Sequence, residues 1–160
     1  MSRTVISSTD IIKQIRELQD DVSTIVETYN DDAREAAFQE DADHEQYEDI
    51  EVDTSEVGEL KDFMELLVDT DDKAKIEELI SLLEAAEEAE GYNSDWRHGA
   101  DLIPSYYFRS YIREYAEETS GIDFNVWPCN NIDWVDAAKD MEQGFAEIDF
   151  NGQSYYIRCT

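Results

Sequence analysis

Carboxylates are the side chains of this 160-residue chain with the greatest capacity for chemistry. The chain has 41 Asp and Glu residues against 12 Lys and Arg, which gives a net charge of −29 at pH 7. Carboxylates act as general acids and bases, as ligands for Ca²⁺ or a metal pair, or collectively as an array of negative charge. Each role requires a different arrangement, so the spacing of the acids discriminates between them.

The acidic stretch that starts at Asp41 has part of the ligand spacing of a calcium-binding loop. An EF-hand loop needs oxygen ligands at positions 1, 3 and 5, glycine at position 6 and glutamate at position 12. Asp41, Asp43 and Glu45 have the spacing of the first three ligands, but Gln46 and Val52 stand where the glycine and the glutamate are required. The sequence therefore predicts no specific calcium site.

Two carboxylate-x-x-His pairs, Asp41 with His44 and Asp95 with His98, have the spacing used by di-metal sites of helical bundles. Such sites bury their ligands on apolar helix faces. His44 lies in the most polar stretch, and His98 lies between Arg97 and a glycine. We therefore interpret both histidines as surface residues and predict no metal and no cofactor.

Enzymatic motifs are also missing from the sequence. It has no glycine-rich phosphate loop and no nucleophile elbow. Because the chain has 41 carboxylates, many pairs arise by chance, and no single pair indicates acid–base catalysis. We predict that the protein is not an enzyme. Cys129 and Cys159 form no CxxC motif, and no apolar stretch has the length of a signal or a membrane span, so we expect reduced thiols in a cytoplasm.

The negative charge is concentrated in the middle of the chain. Residues 31–90 have 24 acids and 4 bases, whereas residues 1–30 have a net charge of −2 and residues 91–160 a net charge of −7. Nucleic acids and anionic membranes would be repelled, so the charge predicts a basic protein partner. A salt-adapted surface would distribute its acids evenly, which disfavours that explanation.

This polyanion is comparable in charge to a short DNA duplex. Duplex DNA has one charge per 1.7 Å of axis, so 29 charges correspond to about 50 Å or roughly 15 base pairs. We therefore predict a DNA mimic that occupies the basic groove of a DNA-binding protein. An acidic scaffold or chaperone for basic proteins is the alternative. The predicted DNA-mimicking carboxylates are Glu40, Asp41, Asp43, Glu45, Glu48, Asp49, Glu51, Asp53, Glu56, Glu59, Asp62, Glu65, Asp69, Asp71 and Asp72.

The first element that positions these acids is an amphipathic helix predicted over residues 9–29. Ser7 and Asp10 have the spacing of a capping box, and Thr9 is an alternative N-cap. The apolar stripe suits a seam with another helix of the chain or of a second copy, and we expect a homodimer. The stripe of this helix consists of Ile11, Ile15, Leu18, Val22, Ile25 and Tyr29.

A short helix and then an acidic loop are predicted over residues 30–55.

Two more helices follow in the acidic region. The first has apolar positions from Val57 to Leu67, and the second has apolar positions from Ile76 to Ala86 and is predicted to end at Gly91. The short connection between them predicts an antiparallel pair.

The last seventy residues are richer in aromatic residues. A helix is predicted to begin at Pro104 and end at Gly121, and another covers residues 132–141 with Asn131 or Asn130 as its cap. Alternating residues around an Asn151-Gly152 turn predict a β-hairpin, in which Ala146, Ile148 and Phe150 share a face with Tyr155 and Ile157. The predicted fold is α+β and mostly α: an acidic helical region over residues 1–91 and a C-terminal α+β module over residues 92–160 that ends in the hairpin.

The C-terminal part resembles the ArdA antirestriction proteins of phages and mobile elements. The resemblance is carried by residues 111–121 (YIREYAEETSG), residues 131–140 (NIDWVDAAKD) and the strand pair that follows them. It implies an elongated, dimeric DNA mimic that binds type I restriction–modification enzymes through distributed charge. Residues 1–60 have no counterpart of the β-rich N-terminal domain of that family. A CRISPR effector, which has a comparable basic channel, is the alternative target.

Overall fold

The computed structural model describes residues 4–40 and 48–160 of the chain, without the side chains of Gln39 and Glu40. The fold is α+β and mostly helical, as predicted, with one four-stranded antiparallel sheet. The helices are α1 (Ser8–Glu40), α2 (Val57–Leu66), α3 (Thr70–Tyr92), α4 (Phe108–Ser120) and α5 (Trp134–Glu142). The strands are β1 (Ile6–Ser7), β2 (Asp101–Pro104), β3 (Phe145–Phe150) and β4 (Gln153–Arg158).

The chain forms two compact units. Residues 1–12 and 85–160 form one, called here the sheet unit, and residues 13–84 form the other, called the acidic unit. The predicted division lay at residues 91 and 92. The N-terminal residues belong with the sheet unit because Ser8 is fully buried there: its amide donates to the carbonyl of Ala100, and its hydroxyl donates to the carbonyl of Trp96.

The predicted start of α1 is confirmed in part. The amide of Ser7 donates to the Asp10 carboxylate, as in a capping box, and the Ser7 hydroxyl accepts from the amide of Thr9. The helix does not stop near residue 29 but continues to Glu40 as one element. Ile11, Ile15 and Val22, from the predicted stripe, are buried within the single chain.

The other two helices of the acidic unit form the predicted antiparallel pair. Lys61 of α2 lies 3.6 Å from Glu84 of α3. Glu65, which comes later in α2, lines a surface groove together with Glu77, which comes earlier in α3. Leu60 and Phe63 are buried, and the Phe63 ring contacts Tyr29 of α1 edge-on. Helix α3 ends at Tyr92, one residue beyond the predicted end.

The sheet unit contains two strands that the sequence did not predict. Its strand order is β1-β2-β4-β3, with Leu102 of β2 opposite Ile157 of β4. Ile103, on the opposite face of the sheet, contributes to a core with Phe108, Ile112 and Ala138 from α4 and α5. Both faces of β2 are therefore buried.

Two predicted helix starts are wrong. Pro104 is the last residue of β2, where it pairs with Tyr155, and a short 3₁₀ turn separates it from α4. Helix α5 is capped not by Asn130 or Asn131 but by Asp133, whose carboxylate accepts the amides of residues 135 and 136. Asp133 is a better N-cap than Asn131 because its negative charge also complements the helix dipole.

The predicted hairpin is confirmed with its register. Asn151 and Gly152 both have positive φ, 54° and 78°, as a two-residue type I′ turn requires. Ile148 lies opposite Tyr155, and Ala146 lies opposite Ile157, so the predicted face forms.

None of the helices in residues 4–40 and 48–160 combines the length and the apolar composition that a membrane span requires.

Candidate acidic binding surface

The acidic surface is defined here by those predicted carboxylates whose side chains the structure describes. All of them belong to the acidic unit, and all are exposed except Asp72, which is half-buried. Asp41, Asp43 and Glu45 of the prediction, and the side chain of Glu40, lie outside the described residues. The members of the acidic surface are Glu48, Asp49, Glu51, Asp53, Glu56, Glu59, Asp62, Glu65, Asp69, Asp71 and Asp72.

The first carboxylates of the acidic surface lie on an extended segment that is held against α1. Asn30 of α1 is buried; its side-chain amide donates to the carbonyl of Ile50 at 3.0 Å, and its side-chain oxygen accepts the Ile50 amide at 2.9 Å. Gln19, nearer the start of α1, donates to the carbonyl of Thr54. The segment therefore runs antiparallel to α1 and has a defined position.

Within this segment, acids and inward-facing residues alternate. Ile50, Val52 and Thr54 are half-buried, and Glu51 and Asp53 between them are exposed. Alternate residues of an extended chain are about 6.6 Å apart on one side. The segment consequently places the carboxylates of Glu51 and Asp53 on one side at a defined spacing, which a flexible acidic loop would not.

Asp53 is held in its charged form by its neighbour. The hydroxyl and the amide of Ser55 both donate to the same Asp53 oxygen, at 2.5 and 2.9 Å. These hydrogen bonds, the side-chain one first, lower the pKa of Asp53 below its ordinary value. The Asp53 carbonyl also accepts the amide of Glu56, directly before α2 begins.

On α2 the acids form a stripe away from the core. Glu59, Asp62 and Glu65 follow one another at spacings of three, whereas Leu60 and Phe63 point inward. Side chains at this spacing are neighbours, about 5–6 Å apart at Cβ. Here the core positions of the helix dictate where the negative charges lie.

Some acids at the start of α3 stabilise the fold locally. The Asp69 carboxylate accepts the amides of Asp71 and Asp72, at 2.8 and 3.3 Å, and so caps the helix. Asp71 and Asp72 lie in the first turn, where negative charge complements the helix dipole. These three residues would be retained for helix stability even without a partner.

Cations neutralise little of this charge. The acidic unit has 25 acids and 6 bases, a net charge of −19, and the sheet unit has a net charge of −10. Arg34 donates to both oxygens of Asp49, at 2.6 and 2.7 Å. In residues 48–72 of the described chain, Asp49 is the one member of the acidic surface with such an ion pair.

The sequence prediction omitted further exposed acids on α1 and α3. Glu77, Glu78 and Glu84 of α3 are exposed, as are Glu17, Asp20 and other acids of α1. All stand at helical positions that avoid the apolar stripe, and that spacing was a readable signal for them. Carboxylates therefore occupy outward positions on all three helices of the acidic unit.

No group of three or more His, Cys, Asp or Glu side chains among the described residues could hold a metal ion. His98 and Cys159 are exposed, and Cys129 is half-buried. What the acidic surface provides is electrostatic attraction for a basic surface.

No protein family, curated protein or solved structure matches this chain. The resemblance to the ArdA proteins therefore depends on its motifs alone. In the structure, residues 111–121 form most of α4 together with Gly121, its left-handed cap, and residues 131–140 include most of α5.

Proposed function

We propose that this protein is a DNA mimic that inhibits a host defence enzyme by occupying its DNA-binding groove. The observation that carries the proposal is the acidic unit, which has 72 residues and a net charge of −19. Nearly all carboxylates of its acidic surface are exposed, and most have no ion pair with a cation.

The size of this charge suits the role. At one charge per 1.7 Å of duplex axis, 19 charges correspond to about 32 Å, or roughly ten base pairs. A groove lined by Lys and Arg attracts such a surface from a distance. Affinity is then distributed over many exposed ion pairs of about 0–1 kcal/mol each.

A type I restriction–modification enzyme is our first choice of target, because of the ArdA-like motifs in α4, α5 and the hairpin. A CRISPR effector is the alternative within the same strategy. The protein would act in the host cytoplasm, as a homodimer. The α1 stripe is buried within the chain except at Ile25 and Tyr29, which are half-buried, so the dimer would use mainly other surfaces.

DNA cleavage by a purified type I enzyme tests the proposal. We expect the protein to inhibit cleavage when it is added before DNA, and excess DNA to relieve the inhibition. A CRISPR nuclease assayed in parallel reports on the alternative target. Inhibition of neither enzyme, or inhibition that excess DNA does not relieve, would contradict the proposal.

A scaffold for basic proteins is the second candidate, favoured by the carboxylates on outward positions of all three helices. A scaffold would bind many basic proteins with similar affinity, and a mimic would prefer one groove. Affinities for a histone-like protein and for the two enzymes, measured at 200 mM salt, separate the candidates: preference for an enzyme by tenfold or more supports the mimic.

A further inference from the structure

A groove between α2 and α3 combines an apolar floor with an acidic rim. It has a volume of about 420 Å³ and is lined by residues of both helices. Met64 is half-buried and Ile80 is almost fully buried, so carbon dominates the floor. The rim consists of Lys61, Glu65, Glu77, Ser81 and Glu84.

The two ends of the groove differ in charge. At one end Lys61 lies 3.6 Å from Glu84, and this pair is internally neutral. At the other end lie Glu65 and Glu77, which are exposed and form no ion pair with any Lys or Arg of the described residues. A ligand that spans the groove would thus place a cation at the Glu65 end.

We propose that this groove binds a basic protein segment that carries one apolar anchor, a Leu, Met or Phe side chain. The anchor lies on Met64 and Ile80, and a Lys or Arg of the segment reaches Glu65 and Glu77. The proposal rests on the proposed function and deepens it, because it adds to the polyanion a contact that DNA cannot offer.

Charge complementarity selects this occupant over others. The acidic unit has a net charge of −19, so an acidic or neutral apolar segment, including a second copy of this unit, gains less or is repelled. Burial of one large aliphatic side chain raises affinity roughly 10- to 100-fold. One anchor is therefore enough to distinguish the correct basic groove from others of similar charge.

Two synthetic helical peptides of equal charge test the groove. One has Lys on one face and a single Leu on its otherwise polar opposite face, and its control has Gln in place of that Leu. We expect the Leu peptide to bind about 10- to 100-fold more tightly at 150 mM salt, with NMR shifts at the Met64 and Ile80 methyl groups. Equal affinities, or shifts confined to other residues, would overturn the proposal.

A groove-filling variant keeps the test independent of charge. Ser81→Trp places an indole in the groove, and Ser110→Trp, on an exposed position of α4, is the matched control. We expect Ser81→Trp alone to reduce binding of the Leu peptide at least tenfold and to leave the Gln peptide unaffected. Unchanged melting curves verify that both variants fold, and equal binding by the two variants counts against the groove.

The charged end is tested separately. Glu65→Gln with Glu77→Gln should weaken the Leu peptide about tenfold, whereas Asp136→Asn with Asp140→Asn on α5 removes the same charge and should change affinity less than threefold. Equal losses would refute a cation site in the groove.

Failure of the groove and failure of DNA mimicry give different results. If Ser81→Trp binds both peptides normally while the protein still competes with DNA, only the groove proposal is wrong. If the Leu peptide binds in the groove but no DNA-binding enzyme is inhibited, the proposed function is wrong and the groove stands.

Discussion

The two units of this chain use their carboxylates differently. In the sheet unit, acids with hydrogen-bond partners are common: Asp133 caps α5, Glu147 accepts from Ser154, and Glu114 accepts from Tyr107 and so raises the pKa of that phenol. In the acidic unit, many described acids have neither a side-chain hydrogen bond nor an ion pair. Among these are Glu48, Glu51, Glu56, Glu59, Asp62 and Glu65.

The charge density differs as well. The acidic unit has a net charge of −19 in 72 residues and the sheet unit has −10 in 88, so the density is more than twice as high in the acidic unit. Adaptation to salt would load both surfaces alike. Under the proposed function, the acidic unit is the part expected to meet the basic partner, and substitutions in the two units test that expectation.

Loss of the helical core should have the largest effect. Phe63→Ala removes a ring that is buried against Tyr29, and we expect it to lower the free energy of unfolding by about 3–5 kcal/mol. Val68→Ala, at a 92% exposed position between α2 and α3, should cost less than about 1 kcal/mol. Urea denaturation measures both, and equal costs would show that the helices do not share this core.

Neutralising acids in one unit or the other compares the two surfaces directly. Replacement of six acids of the acidic unit by their amides (Glu→Gln, Asp→Asn) should weaken binding to the target about 100-fold or more, because each carboxylate contributes up to about 1 kcal/mol. The same replacement of six exposed acids of the sheet unit should weaken binding less than tenfold. The first set is Glu48, Glu51, Glu56, Glu59, Asp62 and Glu65, and the second is Glu87, Asp101, Glu118, Asp136, Asp140 and Asp149.

Titration calorimetry at two salt concentrations checks this comparison. Equal losses in the two variants would mean that the units share the contact. The competing explanation is a single apolar hot spot, for which Trp127, 75% exposed, is available and Trp96, 3% exposed, is not. If Trp127→Ala alone abolishes binding, distributed charge is the wrong mechanism.

The attachment of the acidic segment to α1 should have an intermediate effect. Asn30→Ala leaves both the amide and the carbonyl of Ile50 without their side-chain partner, which should cost about 1–3 kcal/mol. Hydrogen exchange should also speed up at the Ile50 amide. Asn125→Ala, which removes an exposed acceptor of Arg113 in the sheet unit, is the control and should cost less than 1 kcal/mol.

A local pH dependence at Asp53 is the smallest expected effect. Because hydrogen bonds from Ser55 lower its folded-state pKa, the stabilisation is present above the ordinary carboxyl pKa and is lost as the pH falls through the lowered value. An NMR titration should find Asp53 still ionised where exposed carboxyls are half protonated. Ser55→Ala should raise the Asp53 pKa, and an unchanged titration would contradict the assignment.

Local sequence signals predicted much of this fold. The helical stripes and the Asn151-Gly152 turn each act over a few residues, so the existence of the helices and the register of the hairpin could be predicted from the sequence, whereas several helix ends could not. Strands β1 and β2 were not predicted because two and four residues are too few to show an alternation of apolar and polar side chains. In addition, β2 is buried on both faces, so its residues do not alternate in polarity. Their partners lie far away in the chain, as the 92-residue separation of Ser8 and Ala100 illustrates.

The candidate site was predictable in composition but not in geometry. The exposed acids of α2 follow from the positions of its core residues. The extended row at Glu51 and Asp53 depends on the hydrogen bonds between Asn30 and Ile50, and nothing in the local sequence signals a contact over twenty residues. The groove at Met64 and Ile80 depends likewise on how two helices meet.

Competition with DNA for one basic groove tests the central claim most directly. A fluorescent duplex bound to the type I restriction enzyme, and in parallel to a CRISPR effector, is titrated with the protein at 50 and 200 mM salt. We predict complete displacement from one enzyme and a half-maximal inhibitor concentration that rises linearly with DNA concentration. After correction for the weaker binding of DNA itself, the inhibition constant should be roughly 100-fold larger at the higher salt. A complex of the protein, DNA and enzyme together, or an inhibition constant indifferent to salt, would contradict DNA mimicry.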